Sequence, residues 1–324
     1  MQAIRVHEFG LDAPMRLEEV EDPAPGPGEI VIRVGAAGVN PVDMSIRSGV
    51  PPYRNYVKLP YLPGMEAAGE VVALGEGAEN FRLGQRVFGR CPKGGYAERV
   101  HLEAATAVEL PDDYGYPEGA AISLAFYTAW NGLVLKADAG AGETVLVQGG
   151  AGGVGMGAIQ LAKALGCRVI TTVSTQEKAD FARRMGADEI IRYREEDFAE
   201  RCLELTGGRG VDVILELAAC DNFDKDLDAL CVNGRLVVAG TGTGKGPEAT
   251  FRVPAVLAKD ARILGLTARH LIPHLPEVVR RFEPLLKEKK FQVHVDRAFP
   301  LAEAVDAQKL VLSGNFRGKV VLTP

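Results

Sequence analysis

Between residues 144 and 157 the chain reads Thr-Val-Leu-Val-Gln-Gly-Gly-Ala-Gly-Gly-Val-Gly-Met-Gly. The apolar run at 145–147 suits a short buried strand. Six glycines follow between 149 and 157, and a helical pattern then runs to Leu165 and stops at Gly166. Strand, glycine turn and helix in that order are the context of a dinucleotide-binding fingerprint. Gly150, Gly152 and Gly155 fit the G-x-G-x-x-G spacing, and Gly153, Gly155 and Ala158 fit the looser form ending in alanine. A turn without side chains lets a pyrophosphate reach the helix N-terminus, where free N–H groups and the helix dipole favour an anion. The alternative is a glycine turn that serves packing alone.

A chain of 324 residues suggests about two domains. Its 47% apolar and 25% charged residues are ordinary for a globular protein. A net charge of -6 without a basic stripe argues against nucleic acid or anionic lipid as a partner. No apolar stretch reaches membrane-spanning length and the first residues do not open a signal peptide, so a cytoplasmic location is expected. Five cysteines, at 91, 167, 202, 220 and 231, show no paired spacing and read as reduced thiols.

The first ~120 residues read as short strands between glycine and proline turns, at 1–9, 15–20, 29–34, 67–74, 82–89 and 94–100, which suggests a partly open barrel. From about 120 onward, strands at 145–147, 168–173, 189–193, 211–217, 235–239 and 262–267 alternate with helices at 153–165, 176–185, 195–205 and 225–230. Six such strands make a doubly wound parallel sheet. The link at 240–246 is glycine-rich and irregular. An amphipathic helix at 276–290 carries Val278, Val279, Phe282, Leu285 and Leu286 on one stripe, followed by a strand at 291–299, a helix at 301–312 and a last strand at 319–322. The tail is too short for a domain of its own. The expected organisation is a first domain at 1–122, a nucleotide-binding insertion at 123–265, and a return at 266–324, with the active site in the cleft between.

An acid about 20 residues beyond the fingerprint normally holds the ribose hydroxyls of NAD. Here the strand ends Val173-Ser174 without one, and Glu177 comes only in the next helix. Ser174, Lys178 and Tyr193 can instead form a pocket for a 2'-phosphate, which favours NADPH. Lys178 could equally be a solvated helix lysine.

Several stretches resemble the zinc-independent, zeta-crystallin-like quinone oxidoreductases of the medium-chain dehydrogenase/reductase superfamily. They are Gly38-Val-Asn-Pro-Val-Asp43 with Ile46-Arg-Ser-Gly49, Leu62 to Gly69, Ala151 to Gly155, Gly186-Ala-Asp188 with Tyr193 to Glu196, and Leu217 to Leu230 with Lys225-Asp226-Leu227. The resemblance implies an α/β protein: a GroES-like partly open β-barrel catalytic domain with an inserted six-stranded Rossmann domain, a homodimer, and NADPH as cofactor. It places Asn40 at the nicotinamide site with Asp43 supporting its loop, and Thr128 beside the nicotinamide. Gly152, Gly153 and Val154 fall on the pyrophosphate turn, and Ser174, Lys178 and Tyr193 on the 2'-phosphate pocket. Gly240 and Thr241 border the nicotinamide, and Asn315 and Lys319 reach toward the cofactor. A tyrosine that the family often has two residues after Asp43 is replaced by Ser45, and Tyr53 is the candidate to replace that phenol.

Zinc-dependent relatives carry Cys and Gly-His-Glu where this chain has Asn40 and Gly64-Met65-Glu66, and its five histidines share no ligand spacing with a cysteine. No catalytic metal is expected. Without a Lewis acid the fitting substrates are quinones and conjugated enones, reduced by direct hydride transfer in a site that excludes water. Asn40 would donate a hydrogen bond to the carbonyl oxygen, and the proton would come from solvent or Tyr53. The competing readings are an enoyl or alkene reductase and a non-catalytic, crystallin-like nucleotide- or RNA-binding protein.

Overall fold

The structure, a computed structural model, describes residues 1–242, 246–288 and 291–324. The chain divides into two units, Met1–Leu124 with Leu275–Pro324, and Ala125–His274.

In the first unit, β1 (Gln2–Val6) and β2 (Met15–Glu19) form an antiparallel ribbon. The main sheet is built on β3 (Glu29–Val39), whose eleven residues pair along one side with β4 (Glu66–Leu74). Beyond β4 lie β5 (Arg86–Arg90) and β7 (Val108–Glu109). The other side of β3 is shared. Its first half pairs with β6 (Arg99–Glu103) and its end with β15 (Lys319–Thr323), which in turn pairs with β14 (Val295–Pro300). Register shifts between Val31 and Ile32 and between Val34 and Ala36 bend β3 so that one strand can serve two neighbours, as barrel-like sheets require. The expected alternation of Ile30, Ile32 and Val34 becomes burial on both faces from Ala36 to Val39, where the small residues admit a second layer. A Cβ on Gly38 would lie 2.4 Å from the Ala120 carbonyl oxygen and from Glu66 Oε1.

The second unit, among its described residues, holds six parallel strands: β8 (Thr144–Val147), β9 (Arg168–Val173), β10 (Glu189–Arg192), β11 (Val211–Glu216), β12 (Leu230–Val238) and β13 (Arg262–Gly265). Their order across the sheet is β10-β9-β8-β11-β12-β13. That is the doubly wound order, with its switch point between β8 and β11. Both central strands are buried almost throughout, as a sheet covered by helices on both faces demands.

Several elements differ from the sequence reading. A helix at Pro41–Ser48 was not expected. The helix expected at 225–230 begins earlier and spans Ala219–Ala229. The one expected from 195 starts at Phe198, because the Asp197 carboxylate accepts the N–H groups of Ala199 and Glu200 and so caps it there. The strand expected at 291–299 is confined to Val295–Pro300. In helix Leu275–Lys287 the expected stripe is buried at Val278, Val279, Phe282 and Leu286. Part of the expected 240–246 loop, and the last two residues of the helix expected at 276–290, lie outside the described residues.

Candidate active site

The glycine turn follows β8 directly. Gly149 has φ of 68°, and its N–H donates to Thr172 Oγ1 at 3.0 Å. Gly150 lies so close to β9 that a Cβ would sit 2.0 Å from Thr171 Oγ1. A Cβ on Gly155 would stand 2.4 Å from the Gly149 carbonyl oxygen and 2.6 Å from Gly150 Cα. These two glycines are required by packing, which lets helix Gly153–Ala164 rest against the turn. The first bond of the helix runs from the Met156 N–H to the Gly152 carbonyl oxygen, so the N–H groups of Gly153, Val154 and Gly155 head the helix as anion donors. No side chain caps this helix.

At the end of β9, Tyr193 N–H donates to the Val173 carbonyl, which sets Tyr193 beside Ser174 at the ends of adjacent strands. Thr175 caps the next helix by accepting the Lys178 N–H, so Lys178 stands in its first turn. Tyr193 is 49% exposed, while Ser174 and Lys178 are half-buried. On the other side of the switch point, Gly240 and Thr241 run against the loop after β11. Ala219 and Cys220 donate N–H bonds to the Gly240 and Thr241 carbonyls. A Cβ on Gly240 would meet the Leu217 carbonyl at 2.3 Å. Thr128 lies in helix Ser123–Trp130, which passes into a π-turn, Asn131–Lys136, of the kind that recurs at functional sites.

The first unit holds a separate polar cluster. Asn40 stands at the N-terminus of helix Pro41–Ser48, and its N–H donates to Asp43 Oδ2 at 2.9 Å. Tyr96 Oη donates to the same oxygen at 2.8 Å. The Asn40 side chain is only 4% exposed. Its Nδ2 donates to Glu66 Oε1 at 2.9 Å, and its Oδ1 accepts from Lys319 Nζ. Lys319 also pairs with Glu66 Oε1 at 2.7 Å, and Glu66 Oε2 accepts the Leu124 N–H at 2.7 Å. The amide is therefore locked. Turning it over would set its nitrogen against the ammonium and its oxygen against the carboxylate. Asn40 Nδ2 carries two N–H groups: one is engaged by Glu66, and the nearest acceptor for the other is the Gly38 carbonyl oxygen at 3.5 Å.

The structure brings Asn40, Asp43 and Lys319 together and adds Glu66 and Tyr96, which the sequence reading did not select. The signal for Glu66 was present in Gly64-Met65-Glu66, where attention went to the missing metal ligand. Tyr53 lies in the turn Tyr53–Tyr56, packed edge-on to Tyr56 at 5.6 Å, and shares no hydrogen bond with this cluster. Asn315 is exposed in the turn after helix Ala304–Ser313, with its N–H on Ser313 Oγ. Among the described residues, no three His, Cys, Asp or Glu side chains converge as metal ligands.

Two family models match the chain, one described as an alcohol dehydrogenase GroES-like domain over residues 26–112 and one as a zinc-binding dehydrogenase over residues 153–284. The quinone oxidoreductase of Homo sapiens is 34% identical over 99% of this chain and 97% of its own length. That of Pseudomonas aeruginosa is 32% identical over 99% of each. The chain belongs to the quinone oxidoreductase family of the medium-chain dehydrogenase/reductase superfamily. A 2-haloacrylate reductase from a Burkholderia species is 32% identical over 100% of this chain and 99% of its own. Among solved structures, a mycobacterial protein complexed with NADPH superposes with a TM-score of 0.90 at 34% identity, covering 100% of both chains. The Escherichia coli quinone oxidoreductase complexed with NADPH gives 0.87 at 30% identity, again over 100% of both. The GroES-like and Rossmann architecture expected from the sequence is that of these proteins.

Asp43 gives this cluster a pH signature. Burial pushes its carboxyl up to about 7, against the opposing pull of the Asn40 N–H, the Tyr96 hydroxyl and Lys319. The folded protein thus binds this proton more tightly than the unfolded chain does. The group's contribution to stability is greatest below the ordinary carboxylate range and declines as pH rises from about 4 to about 7. Asp43→Asn keeps an acceptor for both donors and should flatten that part of the stability profile, measured by denaturant unfolding across pH. An unchanged slope would show that Asp43 is ionised throughout.

Proposed function

We propose that this enzyme is an NADPH-dependent reductase of quinones and related α,β-unsaturated carbonyl compounds that works without zinc. What supports the cofactor choice is the end of β9: Ser174 and Tyr193 follow adjacent strands, Lys178 stands in the first turn of the next helix, and no carboxylate stands at the tip to repel a 2'-phosphate. Gly150 and Gly155 keep the turn close to the helix N-terminus, so the N–H groups of Gly153, Val154 and Gly155 would hold the pyrophosphate. Thr128, Gly240 and Thr241 would border the nicotinamide. When bound, NADPH supplies the hydride. The first unit is the catalytic domain in this reading and the second the cofactor domain.

In this reading Asp43 holds the loop, Asn40 keeps one amide N–H for the substrate carbonyl, and Lys319 supplies the positive charge. Its ammonium has three N–H groups, of which two are engaged by Asn40 and Glu66. The third N–H would join the second Asn40 N–H in stabilising negative charge that develops on a carbonyl oxygen. Tyr53 remains the phenol candidate for proton delivery, with solvent as the other source. The donor set of Asn40, Met65 and Glu66, in place of cysteine and histidine, supports chemistry without a Lewis acid and hence an already electrophilic substrate. The haloacrylate-reducing relative favours activated alkenes as a second substrate class.

A homodimer is part of the same proposal. β13 is the outer strand of the Rossmann sheet, and Ile263 on it is 41% exposed. Val253 and Leu257, on the helix just before it, are 60% and 70% exposed. An open strand edge with apolar neighbours fits a second copy of the chain.

Three outcomes are expected. NADPH oxidation should proceed with 1,4-benzoquinone or 9,10-phenanthrenequinone, and a conjugated enone or 2-haloacrylate tests the second class. Failure of all four with NADPH still bound would end the catalytic reading. Lys178→Ala should weaken NADPH about tenfold while leaving NADH little changed. Equal losses would remove Lys178 from the phosphate pocket. Light scattering should give twice the chain mass, and Leu257→Glu should return it to one; a monomeric wild type would refute the dimer.

A further inference from the structure

A buried polar chain crosses the switch point of the Rossmann sheet, and every link in it has a direction. The Gly149 N–H donates to Thr172 Oγ1 at 3.0 Å. Thr172 Oγ1 donates in turn to Gln148 Oε1 at 2.6 Å. Gln148 Nε2 donates to Asp226 Oδ1 at 2.9 Å. Asp226 Oδ2 comes next, buried, without a hydrogen-bond donor and beside the Glu216 carboxyl. Glu216 ends the chain as an acceptor only: one of its oxygens takes the Ala218 N–H and the other the Asn222 amide at 3.2 Å. Both acids are 0% exposed, and Thr172 and Gln148 are buried with them.

This order leaves one place for a proton. Asp226 Oδ1 is an acceptor, and Asp226 Oδ2 is buried with no hydrogen-bond donor directed at it. Two ionised carboxylates in contact without a cation would repel each other. Among the described residues, the other titratable groups facing the pair are the Cys202 thiol, from helix Phe198–Leu205, and Asp221, beside Glu216, and none of these supplies compensating positive charge. If Oδ2 carries the proton, it donates to Glu216 and every bond in the chain is satisfied.

We propose that Asp226 is a positioning residue for the cofactor site, holding through this proton a continuous chain from the first glycine of the pyrophosphate turn to the loop after β11. At one end the chain fixes Gly149, whose φ of 68° sets the turn. At the other, Glu216 fixes Ala218, which bridges Thr241. Both ends touch residues assigned above to NADPH, so the effect on cofactor binding rests on that reading. The protonation itself does not. Burial, and next the Glu216 charge, push the Asp226 carboxyl well above the ordinary range. Asp226 therefore holds its proton to higher pH than an ordinary carboxyl, and loss of that proton would break the chain's continuity.

The test uses four proteins: wild type, Asp226→Asn, Asp226→Ala and Thr172→Val. In the apoenzyme at neutral pH, infrared difference spectra should show a protonated-carboxyl band in wild type that is absent from Asp226→Asn. Its absence from wild type would overturn the proposal whatever the cofactor does. NADPH dissociation constants follow by fluorescence. Asp226→Ala and Thr172→Val should each weaken binding about tenfold, the cost of one buried hydrogen bond left open. Asp226→Asn restores an N–H donor at the same place and should recover the affinity lost in Asp226→Ala. Wild type should lose affinity in alkaline buffer and Asp226→Asn should not. Equal weakening by Asn and Ala, or the same alkaline loss in Asp226→Asn, would overturn the proposal. If wild type binds no NADPH, the cofactor reading fails, and the infrared band with the alkaline stability of the apoenzyme still decides the protonation. Thr172→Val cuts the chain at its glycine end without disturbing either acid, so it reports even if Asp226→Ala does not fold.

Discussion

The pair formed by Glu66 and Lys319 joins parts of the chain 253 residues apart, and its side chains are 1% and 4% exposed. Two charges held away from water need close contact and further hydrogen bonds to remain there. Here Asn40 bridges both, and the Leu124 N–H takes the second carboxylate oxygen. The missing side chain at Gly38 leaves room for the carboxylate, since a Cβ there would lie 2.4 Å from Glu66 Oε1. Loss of either partner would strand the other charge, which costs about 3–5 kcal/mol in buried pairs. The arrangement of the first unit around Asn40 depends on this contact more than on any apolar one.

The Rossmann unit solves a similar problem by a different route. The members of its polar chain at the switch point include no cation, and a proton on Asp226 removes the repulsion between two ionised carboxylates. Both solutions place buried polar groups at the ends of strands, where ligands of α/β proteins bind. Each converts a loop that could adopt several conformations into one fixed by donor and acceptor order. Such networks specify a unique arrangement only when every member is satisfied.

Much of this was legible in the sequence, because it depends on neighbours along the chain. The strand-turn-helix at 144–165 and the acid-free end of β9 are local patterns, and backbone geometry converts them into structure with little help from elsewhere. The helix Pro41–Ser48 was also written locally, as Asn40 before Pro41 with Asp43 in the first turn. The partners of Asn40 were not legible. Nothing in the spacing of residues 40, 66, 96 and 319 says that they meet, since the strand pairings that join them are set by the whole sheet. The same limit applies to Glu216 and Asp226. Asp226 reads as one more acid on a helix rich in aspartate until the helix is seen to begin at Ala219, which turns it inward.

The position of β15 has a consequence for how the chain is made. It is the last strand in sequence, yet it lies inside its sheet, between β14 and β3. The Rossmann unit is contiguous and can close its core while synthesis continues. The first unit cannot. After β3 emerges, some 280 residues must follow before Val39 finds its pairing partner Val320, and before Asn40 and Glu66 receive the ammonium of Lys319. During that interval two buried-to-be polar side chains and an open strand edge wait in a partly formed sheet, the kind of surface chaperones shield. The order of synthesis therefore makes the Rossmann unit the early folding unit and leaves the cluster around Asn40 open until Lys319 has emerged.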